Sequence, residues 1–326
     1  MTLMEIIWMV AKILIVFVVL LLAMAYLTLV ERRFLAWFQW RLGPNRAGPL
    51  GLIQPICDGV KLLFKQEIIP VRADKIVYML APAISLIAAF TIVAVVPFTE
   101  HFFISDINVA VLFVLAVSSV GTFGIILAGW SSGSKYPFLG GLRSCAQMIS
   151  YELALGFAVV GVVLMAGSFS LRDIVVGQAG LWYVIPQILG FLVFLTAGLA
   201  ETNRAPFDMP ECESELVAGY HTEYSSMKFA MFFLGEYVAI INIGLLTTVL
   251  FLGGWHGPAI FGPALIGLSG LFWFLLKTFA VIFIFIWVRA TLPRFRYDQV
   301  MRFGWIVLLP LALLNIVVTA AVKAFV

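Results

Sequence analysis

The chain is 326 residues long, 63% hydrophobic and only 11% charged, with a net charge of +3 and a mean hydropathy of +1.09. Soluble domains carry about 25% charged residues, so this composition excludes a soluble protein and describes an integral membrane one. The small positive excess is no nucleic-acid signal, because the basic residues follow membrane topology rather than one patch.

A helix needs about 17–25 apolar residues to cross a hydrocarbon core of about 30 Å. Runs of that kind recur at about 6–30, 76–97, 107–129, 147–166, 184–200, 229–252, 264–288 and 303–322. They lack the alternation of a lipid-facing barrel strand. The expected fold class is therefore all-α: an integral membrane protein of about eight transmembrane helices in one membrane domain, 1–326. The first run ends in Glu31-Arg32-Arg33 instead of a small-residue cleavage site, so it reads as a retained helix and not a signal peptide. The 184–200 run is short and carries Pro186 near its start.

RLGPNRAGP, 41–49, reads as a rigid turn. In the stretch after it, LGLIQPICDGVKLLFKQEIIP (50–70), Ile53, Ile56, Cys57, Val60, Leu63 and Phe64 share one helical face. Gln54, Asp58, Lys61 and Lys65 share the other, which predicts an amphipathic helix near 50–67 lying along the cytoplasmic interface. A peripheral anchor and a wall of a functional site are both open readings of it.

Orientation follows from Lys and Arg. The connections 31–75, 130–146, 201–228 and 289–302 hold 16 of the 20 basic residues, while the opposite side holds Lys12, Arg172 and Lys323, and Lys277 falls inside a helix. The basic set faces the cytoplasm, which puts both termini outside. Cys57, Cys145 and Cys212 form no CxxC pair, and His101, His221 and His256 are scattered, so nothing here spells a metal or iron–sulfur site.

Charge also appears where it is expensive. Glu152, Glu236 and Lys277 fall within apolar runs and Glu201 closes one. A charge at the bilayer centre costs about 2.5–3.5 kcal/mol, and such residues mark ion or proton paths. A buried ion pair that only fixes packing, such as Lys277 with Glu236, is the alternative. Glu201 also opens ETNRAPFDMPECESEL, 201–216, where Asp208, Glu211, Glu213 and Glu215 follow with only Arg204 opposing them. A solvated loop would tolerate this. The apolar residues threaded through it, and the like-charged Glu211 and Glu215 at i,i+4, argue for a site.

Four strings together amount to a signature: ERRFLAWFQWRLGPNRAGPLGLIQPICDGVKLLFKQ, GWSSGSKYPFLGGLRSCAQMISYE, AETNRAPFDMPECESELVAGYHTEYSSMKFAMFFLGEY and LPRFRYDQVM. Through them the chain resembles, over essentially its whole length, the H subunit of bacterial NADH–quinone oxidoreductase, respiratory complex I. The mitochondrial counterpart is NADH dehydrogenase subunit 1.

The resemblance implies a multi-pass subunit of the bacterial inner membrane without a redox centre. Quinone is the substrate, and FMN and the iron–sulfur clusters sit on partner subunits. Those partners are hydrophilic quinone-site subunits, one with the terminal iron–sulfur cluster, and small and antiporter-like membrane subunits, within membrane lipid. It implies a quinone tunnel walled here by Arg32, Asp58, Arg143, Arg204, Asp208, Glu211, Glu213, Glu215, Phe229, Phe232 and Phe233. A proton path would run through Glu201, Glu152 and Glu236. The related membrane component of proton-translocating hydrogenases, a free-standing antiporter and a purely structural anchor are the rival readings. An antiporter predicts an inverted repeat, which the sequence lacks.

Overall fold

A computed structural model describes residues 3–210, 213–258 and 266–325, and among these all regular structure is helical. Chain order gives α1 (Leu3–Phe38), α2 (Gln54–Phe64), α3 (Lys75–Val93), α4 (Ala110–Ser131), α5 (Lys135–Ala166) and α6 (Leu171–Gly177). Then come α7 (Ile188–Glu201), α8 (Glu213–Leu216), α9 (Ser226–Leu250), α10 (Ile266–Thr291), α11 (Tyr297–Arg302) and α12 (Leu309–Phe325). A π-helical stretch, Phe303–Leu308, joins α11 to α12 in one run.

Among the described residues, seven helices are long and apolar enough to cross a membrane: α1, α3, α4, α5, α9, α10 and the Tyr297–Phe325 run. The chain is a multi-pass membrane protein. The short apolar helix α7 has 14 residues, about 21 Å at 1.5 Å per residue. Two spans overrun their apolar stretches. α1 continues through Glu31-Arg32-Arg33 to Phe38, and α5 begins at Lys135, well before the apolar residues of 147–166. A helix does not stop where the lipid does; it stops where its caps are.

Those caps are legible locally. Asp74 accepts hydrogen bonds from the amides of Ile76 and Val77 and starts α3. Gly167, at φ 71°, closes α5 in the left-handed conformation. Close packing relies on missing side chains: a Cβ on Gly129 of α4 would lie 2.6 Å from the Pro137 carbonyl oxygen of α5.

The connections sort to two ends of the bundle. At one end, the Asp74 amide donates to the Ser131 carbonyl (3.0 Å), Tyr78 Oη to the Glu223 carbonyl (2.7 Å) and the Phe295 amide to the Pro206 carbonyl (3.2 Å). At the other, the Val111 amide donates to the Phe169 carbonyl (3.1 Å) and Val184 to Phe251 (2.9 Å). α2 lies at the first end with none of its residues buried, and Ile56, Val60, Leu63 and Phe64 stay exposed.

Candidate functional site

The larger of two adjoining cavities lies among α3, α4, α5, α9 and the end of α7. Glu201, the last residue of α7, lines it beside Asn203, and Glu236 of α9 lines it from across. Ser118 of α4 lines it too and donates to Glu152 Oε1 (3.3 Å), which also accepts from Ser119. Glu201 and Glu236 thus line one space, and Glu152 is joined to it through Ser118. Its far part is lined by Ile92, Val114 and Leu246, all buried and apolar, and Val114 and Leu246 also border a small apolar pocket beyond.

The smaller cavity adjoins it, lined by Glu31, Arg204, Tyr237 and Arg289. Thr202 lines both, so the turn after α7 is the wall between them. Arg204 Nη1 meets Glu31 Oε1 at 2.7 Å, and its Nε pairs with Glu236. Arg289 pairs with Glu31 as well, and Tyr237 Oη donates to Glu31 Oε2 at 2.6 Å. The Arg204 guanidinium lies over the Tyr237 ring, 4.4 Å from its centre.

Side-chain exposure is only 8% for Arg204, 5% for Glu31 and 14% for Glu236. Charges this enclosed survive only when paired, and two arginines against two glutamates balance. Burial works against the Arg204 charge, but Glu236 and then Glu31 beside it hold its pKa well above the ordinary arginine value. The arrangement links a carboxylate-lined cavity to a second cavity through one shared cation, so a charge change in either is felt in the other.

The remaining sequence-derived residues form separate contacts. Arg32 pairs with Asp58 at 2.8 Å, tying α1 to α2, and Gln54 donates to the same carboxylate. Arg143 pairs with Glu215 at 2.5 Å, and Arg294 faces the Asp208 carboxylate at 3.6 Å. Asp208 and Glu215 of the loop therefore face arginines. Glu211 lies outside the described residues, as does the side chain of Glu213. Phe232 lines the larger cavity, whereas Phe229 and Phe233 stack on one another and lead to Tyr237.

A family model described as NADH dehydrogenase matches residues 11–320. The chain is 52% identical over 303 residues to the NADH-quinone oxidoreductase H subunit of Paramagnetospirillum magneticum, covering 93% of this chain and 88% of the relative. It is 52% identical over 335 residues to the H subunit numbered 2 in Geobacter metallireducens, covering 96% and 95%. With the Rhodospirillum rubrum H subunit the figure is 53% over 299 residues, covering 91% and 88%. The chain belongs to the NADH-quinone oxidoreductase H-subunit family.

In this member of the family, no three His, Cys, Asp or Glu side chains come together as a metal site among the described residues. The alternative pairing considered for Lys277 is not formed. Lys277 does not meet Glu236: its Nζ donates to the carbonyls of Leu252 (2.7 Å), Gly254 (3.0 Å) and His256 (2.6 Å) and lies over the Trp182 ring. The ammonium satisfies the open carbonyls after α9 at the other end of the bundle, and Arg204 takes Glu236.

Sequence reading missed Glu31, Arg289 and Tyr237. The signal for Glu31 was present: Val16, Leu20, Met24, Leu27 and Glu31 are spaced three or four apart and are all buried. Nothing in the sequence marks Arg289, which reaches Glu31 across 258 residues.

Proposed function

We propose that this chain is the membrane subunit through which an NADH–quinone oxidoreductase admits quinone and converts its reduction into proton movement. It sits in the bacterial inner membrane with its basic connections in the cytoplasm and both termini in the periplasm. The amphipathic α2 rests on the cytoplasmic interface. The hydrophilic arm, which carries FMN and the iron–sulfur clusters, docks on that end, and the antiporter-like subunits lie beyond. Arg32, Asp58, Arg143, Arg204 and Asp208 border the quinone route together with Glu211, Glu213 and Glu215 of the same loop.

The observation that carries this reading is the Arg204–Glu236 pair standing between two cavities, with Glu201 on the far side of the same turn. Negative charge arriving on a reduced quinone near Arg204 competes with Glu236 for the guanidinium. The loosened carboxylate then attracts a proton into the larger cavity, where Glu201 and Glu152 continue the series. The size is adequate: charges about 4 Å apart at an effective dielectric near 20 interact by about 4 kcal/mol, or about three pK units.

The test is Glu201→Gln in membranes, with assembly checked by native gel. NADH oxidation by a water-soluble acceptor is expected to persist while quinone reduction and proton uptake fall together. Wild-type quinone reduction and uptake in an assembled complex would sink the reading and leave the loop a docking surface.

A further inference from the structure

We infer that Gln147 is a positioning residue, whose amide clasps both ends of the Ala200–Phe207 segment and so fixes the wall that holds Glu201 and Arg204. This deepens the function proposed above and rests on it. Gln147 sits on α5, five residues before Glu152, and is fully buried. Its Nε2 donates to the Ala200 carbonyl at 2.8 Å and to the Phe207 carbonyl at 2.7 Å. One NH₂ group thus spends each hydrogen on one end of the segment. The Asn203 side chain, on the cavity wall, lies at the edge of reach at 3.5 Å.

The other half of the amide explains why this is more than packing. Gln147 Oε1 is buried and has no hydrogen-bond partner. A buried acceptor left bare lowers stability, and the Tyr151 ring against Phe207, 5.4 Å between centres, already pins the loop to α5. What the amide adds is register. It holds the last turn of α7 at a set distance from Phe207, and Thr202, Asn203 and Arg204 of the dividing wall lie between those points. The Arg204–Glu236 pair is at contact distance, where Coulomb energy changes most steeply with separation, so a small slip of the segment alters how strongly the cavities are coupled.

The experiment uses the whole complex in native membranes, carrying Gln147→Met or Gln147→Leu. Both keep most of the volume of the side chain, add no titratable group and remove its donors. Tyr151→Phe is the control: it removes a buried bond to the Val300 carbonyl from the same helix and leaves the clasp. We measure acceptor reduction, quinone reductase activity against pH, and protons taken up per NADH, each per assembled complex. Both Gln147 variants are expected to keep acceptor reduction, lose about tenfold in quinone reductase, as for one to two buried hydrogen bonds, shift its pH profile and lower the proton yield. Tyr151→Phe keeps the wild-type profile.

An unchanged profile and yield, activity lost only in proportion to assembled complex, or the same shift in Tyr151→Phe would overturn the assignment. Should neither variant assemble, Gln147→Asn, one methylene short of both carbonyls, is expected to assemble with a displaced profile; a wild-type profile overturns it equally. Glu201→Gln run alongside separates the two ideas. If it is silent, the proton route itself fails; if it uncouples while Gln147 variants behave as wild type, only the clasp fails.

Discussion

Arg204 borders one cavity and Glu236 the other, and the two meet as an ion pair through the wall between them. Removing one member of a buried pair strands the other, at a cost of about 3–5 kcal/mol. Arg204→Met takes the guanidinium from both Glu236 and Glu31, leaving Glu31 to Arg289 and Tyr237. We expect a marked fall in assembled complex on native gels and in the temperature at which quinone reductase is lost. Arg204→Met with Glu236→Gln should recover part of that stability but not the quinone activity. Full recovery of activity would show that the pair serves packing alone.

The Arg32–Asp58 pair is the contrasting case. At 45% and 28% side-chain exposure it is worth about 0.2–1 kcal/mol. Asp58→Asn should therefore leave assembly and thermal inactivation close to wild type. A raised KM for quinone in that variant would report on quinone entry at the α1–α2 corner; an unchanged KM would remove Asp58 from the route.

Lys277 gives a prediction for the opposite end. Lys277→Met leaves three carbonyls without their donor, at about 1–3 kcal/mol for each buried group left bare. The variant should inactivate at lower temperature, yet the complex that survives should keep its pH profile and proton yield, because Lys277 touches neither cavity. A shifted profile would place Lys277 on the proton route after all.

Alkaline stability has a marked tyrosine. Tyr224 lies in the connection before α9, its ring stacked 4.0 Å from that of Tyr78. Burial pushes its hydroxyl up to about 12, against a smaller opposing pull from the Ser131 hydrogen bond. Because the fold favours the protonated phenol, this contribution is whole below the free value of 10.0 and is lost as pH climbs toward about 12. Thermal inactivation should drop across that window in the wild type and drop less in Tyr224→Phe. Equal losses would assign the alkaline step to other groups.

How much of this could be read from sequence depends on separation along the chain. The helical class, the apolar runs and the individual charges at Glu152, Glu201, Arg204 and Glu236 were legible, because hydropathy and its violations are local. The partners were not. Glu31 meets Arg204 across 173 residues and Tyr237 across 206, and nothing local encodes such contacts. Lys277 was opaque for the same reason: opposite charge offered Glu236 as one alternative, but backbone carbonyls carry no sequence label and took the ammonium instead. The helix ends were missed where lipid boundary and cap differ, as at Glu31, which hydropathy leaves outside the first run and α1 buries within it.

The apolar floor of the larger cavity has an electrical consequence. A proton moves only between groups that can give and take it, and Ile92, Val114 and Leu246 can do neither. If the cavity takes up protons as proposed, it is a well, open to charge from the side of Glu201 and insulated below, so that protons drawn in and returned do not short-circuit the voltage across the membrane. On that reading, replacing Val114 or Leu246 by a carboxyl side chain is expected to weaken the insulation and raise the proton leak through the assembled complex.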